Sequence, residues 1–209
     1  MERGPLSLAV LISGSGTNLA AILAAIESGV LRARVRLVLS NRADAYGLER
    51  ARAAGVETVV LPHRGFPTRE AFDAAVVSEL RARAVEWVVL AGFMRVVTPV
   101  LLDAFPDRVL NIHPALLPAF PGVDAQRQAL EYGVKWTGCT VHFVDAGVDT
   151  GPVLLQRTCP VEDGDDRATL AARLLHEEHR ALVDALVAVS EGRVEIEPGL
   201  GGRRRVRVA

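Results

Sequence analysis

The feature that most constrains this chain is a recurring pair: a short apolar run without polar alternation, then a segment with helical spacing. Leu6–Ile12 is the first such run, and its lack of alternation marks a strand buried on both faces. It ends in Ser13-Gly14-Ser15-Gly16-Thr17-Asn18, after which Leu19, Ile22, Leu23 and Ile26 repeat at helical spacing up to Gly29. The pair recurs as a strand over 35–39, a helix over 43–54 closed by Gly55, and a strand over 56–61. A long helix over 68–84, which Thr68 can cap, leads to a fourth strand over 87–90. Pro99–Ala104 then reads as a short helix before the apolar residues Val109, Leu110 and Ile112. Strands alternating with helices predict an α/β fold: a doubly wound, mostly parallel, Rossmann-like sheet with right-handed crossovers.

The second half changes character. Residues 138–144 alternate around His142 and read as a strand. The glycine-bearing turn Asp145-Ala146-Gly147-Val148-Asp149-Thr150-Gly151-Pro152 follows, and 153–158 returns antiparallel. A long helix over 167–189 carries the stripe Leu170, Leu174, Leu182, Leu186 and Val189, and the tail reads as a hairpin of 193–197 with 204–208. No Gly-, Ser- or Pro-rich linker divides the chain. It reads as one domain, 1–209, with a phosphate-binding half over about 1–105 and a catalytic half over about 106–209.

A formal charge of −1 gives no global field to recruit nucleic acid or an anionic membrane, so any anionic substrate must be held locally. The one basic cluster, Arg203, Arg204, Arg205 and Arg207, reads as a charged edge hairpin. Lys135, the only lysine, falls in a surface turn, which disfavours lysine-based covalent chemistry. Cys139 and Cys159 have neither metal-site nor disulfide-framework spacing and are expected as thiols. No signal peptide precedes the first apolar run, which is too short to span a bilayer; a cytoplasmic protein is expected.

The chemistry concentrates at residues 109–122, VLNIHPALLPAFPG. Asn111 and His113 are two apart, so a strand projects both to one face, and Pro114 ends the strand right there. An amide and a protonated imidazole converging on one point can stabilise an oxyanion. A buried, satisfied histidine before a proline-rich loop is the plainer alternative.

The Ser13–Asn18 turn lacks the lysine of a P-loop, and Leu19 takes the place of the third glycine of a dinucleotide fingerprint. A site for a single phosphate remains, or a tight turn into a helix. In the loop after the fourth strand, Phe93 and Met94 beside Arg95 suit a flat heteroaromatic ligand, or pack under a neighbour. His176 and His179 share a helix face, but no cysteine or third histidine lies nearby and no metal is expected. Taken alone, Asp149 reads as an ordinary turn aspartate.

Together the Asn-x-His-Pro-x-x-Leu-Pro string, the SGSGTN loop, the LAGFMR and RQALE segments and the DAGVDTGP turn resemble the folate-dependent formyltransferases. The likeness extends over about 8–189 and is strongest to the branch that formylates glycinamide ribonucleotide in purine biosynthesis. The resemblance implies 10-formyltetrahydrofolate as formyl donor and co-substrate, without a metal. It implies Asn111, His113 and Asp149 as the catalytic set, with Asp149 orienting His113 and favouring its charged form. Gly16, Thr17 and Asn18 would hold the nucleotide phosphate, with Glu178 on its ribose side. Arg69, Met94, Arg95, Val96, Val97, Asn111 and Asp145 would line the folate pocket. Some relatives carry histidines where this chain has Asp124 and Gln126, so no contact is carried over there. The expected partners are glycinamide ribonucleotide and folate, without nucleic acid or membrane, and with a homodimer left open. A formyltetrahydrofolate hydrolase and a non-catalytic nucleotide-binding module are the alternatives.

Overall fold

The computed structural model describes residues 4–209. Nine strands and six α-helices are distinguished among them. The strands are β1 (Leu6–Ile12), β2 (Ala33–Ser40), β3 (Thr58–Val60), β4 (Trp87–Leu90), β5 (Val109–His113), β6 (Trp136–Phe143), β7 (Val153–Pro160), β8 (Val194–Pro198) and β9 (Arg204–Val208). The helices are α1 (Thr17–Glu27), α2 (Gly47–Ala53), α3 (Arg69–Ala82), α4 (Pro99–Ala104), α5 (Ala125–Tyr132) and α6 (Arg167–Ser190). A seven-stranded sheet has the order β3-β2-β1-β4-β5-β6-β7, and β8 pairs with β9 in a sheet of their own. The chain forms two compact units, the first ending at Asn111 and the second running from Ile112 to Ala209.

In the first unit, β1 pairs in parallel with both β2 and β4, β2 with β3, and β4 with β5. Leu8, Ala9, Val10, Leu11 and Ile12 are all fully buried, as the unalternating run requires. Each large aliphatic side chain removed from water in this way contributes about 1.5–3 kcal/mol. Chain order reverses on either side of β1, which places a topological switch point between β1 and β4. Open α/β sheets bind ligands outside the carboxyl ends of such strands.

In the second unit, β6 and β7 pair antiparallel, with a register shift between Val141 and His142. The 24-residue α6 starts on Asp166, whose carboxylate accepts the Ala168 and Thr169 N–H groups while the Thr169 hydroxyl accepts the Asp166 N–H. This reciprocal cap fixes where the helix begins.

Several boundaries differ from the sequence expectation. The second helix starts at Gly47 and not at residue 43, because Ala43 and Asp44 form a turn that the Arg42–Asp44 ion pair braces. The third strand shrinks from 56–61 to Thr58–Val60. Helix α5 appears where only a resemblance had marked the sequence. The arginine-rich tail does form the expected hairpin, as a two-stranded sheet of its own, with Glu195 and Glu197 facing Arg207 and Arg205.

Candidate active site

In the first unit the site begins where β1 ends. Gly16 caps α1 with φ of 69°, and no side chain caps that helix. The first-turn N–H groups of a helix have no intrahelical partner, so an uncapped N-terminus of this kind is a natural seat for an anion. Glycine is required there twice over. The positive φ disfavours any Cβ, and a Cβ at Gly16 would lie 2.5 Å from the Gly47 Cα. Gly47 in turn donates its N–H to the Gly14 carbonyl at 3.0 Å, seating α2 against the loop. Arg50 on α2 donates Nε–H to the Ser15 carbonyl at 2.9 Å while its guanidinium lies 5.0 Å over the Tyr46 ring. A cation therefore stands beside a loop from which the sequence reading expected mainly backbone amides. Thr17 is partly buried and Asn18 buried within the first turn of α1.

The loop after β4 meets the loop after β1 at the switch point. Ser13 donates its backbone N–H to the Gly92 carbonyl at 3.1 Å. Its hydroxyl accepts the Met94 N–H at 2.8 Å and donates to Asn41 Oδ1 at 2.6 Å. Asn41 Nδ2 lies 3.2 Å from His63 Nδ1, so a chain of polar contacts links the carboxyl ends of β1 and β2 to the segment after β3. The sequence reading had treated Ser13 only as part of a turn. Met94 is 72% exposed and Val96 48%, whereas Val97 is buried and Arg95 partly so. Arg69 is exposed at the start of α3, and Asn111 is partly buried on β5.

In the second unit the centre is Asp149. It adopts φ of 54° in a turn whose geometry is tightly set. A Cβ at Gly151 would lie 1.9 Å from the Phe143 carbonyl oxygen, and Asp145 Oδ1 accepts both the Gly147 N–H (3.1 Å) and the Thr150 hydroxyl (2.6 Å). Asp145 Oδ1 thus braces the turn. The turn leads Asp149 inward, and its side chain is only 12% exposed. Asp149 Oδ2 lies 3.3 Å from His113 Nδ1 and accepts the Gly122 N–H at 2.8 Å, while Oδ1 lies 3.5 Å from His142 Nε2. Burial alone pushes this carboxyl upward. The His142 and Gly122 hydrogen bonds and the charges of both imidazoles outweigh it and hold the group below its ordinary range.

His142 is the functional candidate that sequence reasoning missed. It is 2% exposed, and its Nδ1 lies 2.9 Å from the Phe143 carbonyl oxygen. The register shift at Val141 and His142 is the kind of local irregularity that re-aims a side chain beside an active site. The available signal was a histidine inside an otherwise buried strand, which must find a polar partner. His113 mirrors it, with Nε2 2.9 Å from the Phe120 carbonyl oxygen. Each ring faces acceptors on both sides, and only the imidazolium can donate to both.

Of the remaining expected residues, Glu178 lies buried on α6. His176 is exposed and His179 partly buried on the same helix. No group of three His, Cys, Asp or Glu side chains able to hold a metal ion occurs among the described residues. Cys139 and Cys159 are buried free thiols, opposite Arg157 and Thr137 respectively. Lys135 pairs with Asp163 at the surface. No helix among the described residues is long and apolar enough to cross a membrane.

Sequence and fold both match known proteins. The formyl transferase family matches residues 6–186. The chain is 44% identical over 191 residues to phosphoribosylglycinamide formyltransferase of Escherichia coli, covering 91% of this chain and 90% of that protein. It is 45% identical over 187 residues to the trifunctional purine biosynthetic protein adenosine-3 of Drosophila pseudoobscura pseudoobscura, and spans only 14% of that longer protein. Among solved structures, glycinamide ribonucleotide transformylase 1 of Symbiobacterium toebii superposes with a TM-score of 0.93 at 55% identity, covering 98% of this chain and 94% of that one.

Proposed function

Because the chain belongs to the formyl transferase family, we propose that it moves the formyl group of 10-formyltetrahydrofolate to the amine of glycinamide ribonucleotide, a step of purine biosynthesis. The observation that carries this reading is the Asp149 carboxylate set between two imidazoles, that of His142 and that of His113, which ends the strand that also bears Asn111. The uncharged amine attacks the formyl carbon, and the carbonyl oxygen becomes a tetrahedral oxyanion. The Asn111 amide and the His113 N–H are the donors for that oxygen. Asp149 holds His113 in orientation and balances its charge. Collapse breaks the bond to the folate nitrogen, which takes up a proton as the amine gives one up. The formyl oxygen has to win the His113 Nε2–H from the Phe120 carbonyl, so that carbonyl keeps the donor satisfied until substrate arrives.

Gly16, Thr17 and Asn18 take the nucleotide phosphate, with Arg50 beside them, and Glu178 takes the ribose. The folate set is Arg69, Met94, Arg95, Val96, Val97, Asn111 and Asp145. Exposed Met94 and Val96 support it, since apolar side chains left uncovered in a loop suit a flat ring. The whole chain acts as one catalytic domain, as a monomer or a homodimer in the cytoplasm, without a metal and without nucleic-acid or membrane partners.

The test supplies 10-formyltetrahydrofolate with and without glycinamide ribonucleotide and follows formylated nucleotide and free formate. Formylated product that requires the nucleotide is expected. Formate released at the same rate in its absence would make the protein a hydrolase instead.

A further inference from the structure

The loop proposed to receive folate leans on α3 through two adjacent residues, Phe72 and Asp73. Phe72 is 1% exposed; its ring stacks on Phe93 at 6.5 Å and lies beneath the Arg95 guanidinium at 5.0 Å. Asp73 is 3% exposed, and its Oδ2 accepts both the Thr98 N–H at 2.6 Å and the Thr98 hydroxyl at 2.8 Å. The stacked ring holds the start and middle of the loop, and the carboxylate holds its end. Between these anchors lie the exposed Met94 and Val96.

We propose that Asp73 is a positioning residue for folate: its buried carboxylate fixes the 93–98 loop in the shape that presents Met94, Arg95 and Val96 to the pterin. This rests on the folate assignment of that loop. Asp73 itself touches no substrate.

A carboxylate in this place is not the choice that stability alone favours. Burial raises its pKa above the ordinary value, the two Thr98 hydrogen bonds and the Arg95 charge oppose that rise, and the nearby Glu70 charge adds to it. An acid whose folded-state pKa is raised weakens the fold when it ionises, so at neutral pH the charge is held against a cost. What it supplies is two charge-assisted bonds to one loop residue. The ionised form accepts both Thr98 donors, so the grip loosens as pH falls through the raised value, from above the usual carboxylate range.

The test compares Asp73→Asn, Thr98→Val and Thr98→Ser in the full chain. Asp73→Asn should raise the KM for 10-formyltetrahydrofolate by about 5- to 10-fold, the size expected for losing a charged hydrogen-bond acceptor. The KM for glycinamide ribonucleotide should stay within about twofold, and Tm should not fall, because the buried charge is gone. The folate KM of the parent protein should rise on the acid side, and that rise should flatten in this variant. Thr98→Val should show a smaller folate effect, and Thr98→Ser, which keeps both donors, should behave as the parent. Amide exchange at Met94 and Thr98 should quicken in Asp73→Asn while α3 stays protected. Equal rises in both KM values with a lowered Tm would make Asp73 merely structural and overturn the proposal, as would an unchanged folate KM. If the parent protein transfers no formyl group, the folate reading fails and the positioning role with it. Amide exchange then shows separately whether Asp73 anchors the loop.

Discussion

The Gly16 loop of the first unit, proposed to take phosphate, and the Asp149 cluster of the second are built on opposite principles. The loop works by absence: glycine at 16 and at 47, and no side-chain cap on α1, whose first-turn N–H groups have no intrahelical partner. The cluster works by surplus, with two imidazoles and a backbone N–H around one nearly buried carboxylate. The loop is specified by space, because a Cβ does not fit. The cluster is specified by matching donors to acceptors in a place that water reaches poorly. A binding element can be made of main chain, but a group that moves protons needs side chains whose charge can change.

Substitutions should fall along that divide. The largest effect is expected from Asp149→Asn, which keeps the shape and removes the charge. Its kcat should drop by about a hundredfold or more while both KM values change little, the pattern of a group that acts in the transition state. The same variant tests the electrostatics. A carboxyl held below its ordinary range stabilises the fold above the unfolded value of about 4 and stops doing so as pH falls through its lowered folded value. The urea stability gap between parent and Asp149→Asn should therefore be full at neutral pH and close under acid. A near-normal kcat would remove Asp149 from the mechanism.

Gly16→Val comes next. It should raise the nucleotide KM by about tenfold or more, since a β-branched residue cannot keep the positive φ and loses the N–H geometry. Folate KM should change far less. An equal rise in both would mean that the loop is scaffold.

His142→Phe sharpens the other side by deleting one of the two imidazoles on Asp149. We expect kcat to fall by about tenfold, less than for Asp149→Asn, because His113 keeps its partner. A fall as deep as that of Asp149→Asn would make the two histidines a single unit. Smallest is Asp166→Ala, which removes the cap of α6. It should lower the urea midpoint slightly and leave both KM values alone.

How much of this was readable beforehand follows the range of the forces involved. The strand over 6–12 was legible because burial on both faces leaves its mark within the strand itself. The strand that carries Asn111 and His113 was legible because its apolar run and the proline that ends it are local. The start of α2 was not, since Gly47 is fixed by Gly16, distant in sequence. His142 was passed over because its meaning depends on a hairpin register and on a bulge inside it, neither of which leaves a local pattern. Asp73 and Ser13 were missed for the same reason. Each is an ordinary residue in its own element and acquires a task only from a loop that arrives later in the chain.

Ser13 carries one more consequence. Its single hydroxyl accepts from the loop after β4 and donates toward Asn41, while the phosphate loop begins at the next residue. One side-chain oxygen therefore ties the loop after β4 and Asn41, at the end of β2, to the place where the loop after β1 begins. On the proposed assignment, a ligand that orders one of these loops would favour the other, and thermodynamic reciprocity would make that help equal in both directions.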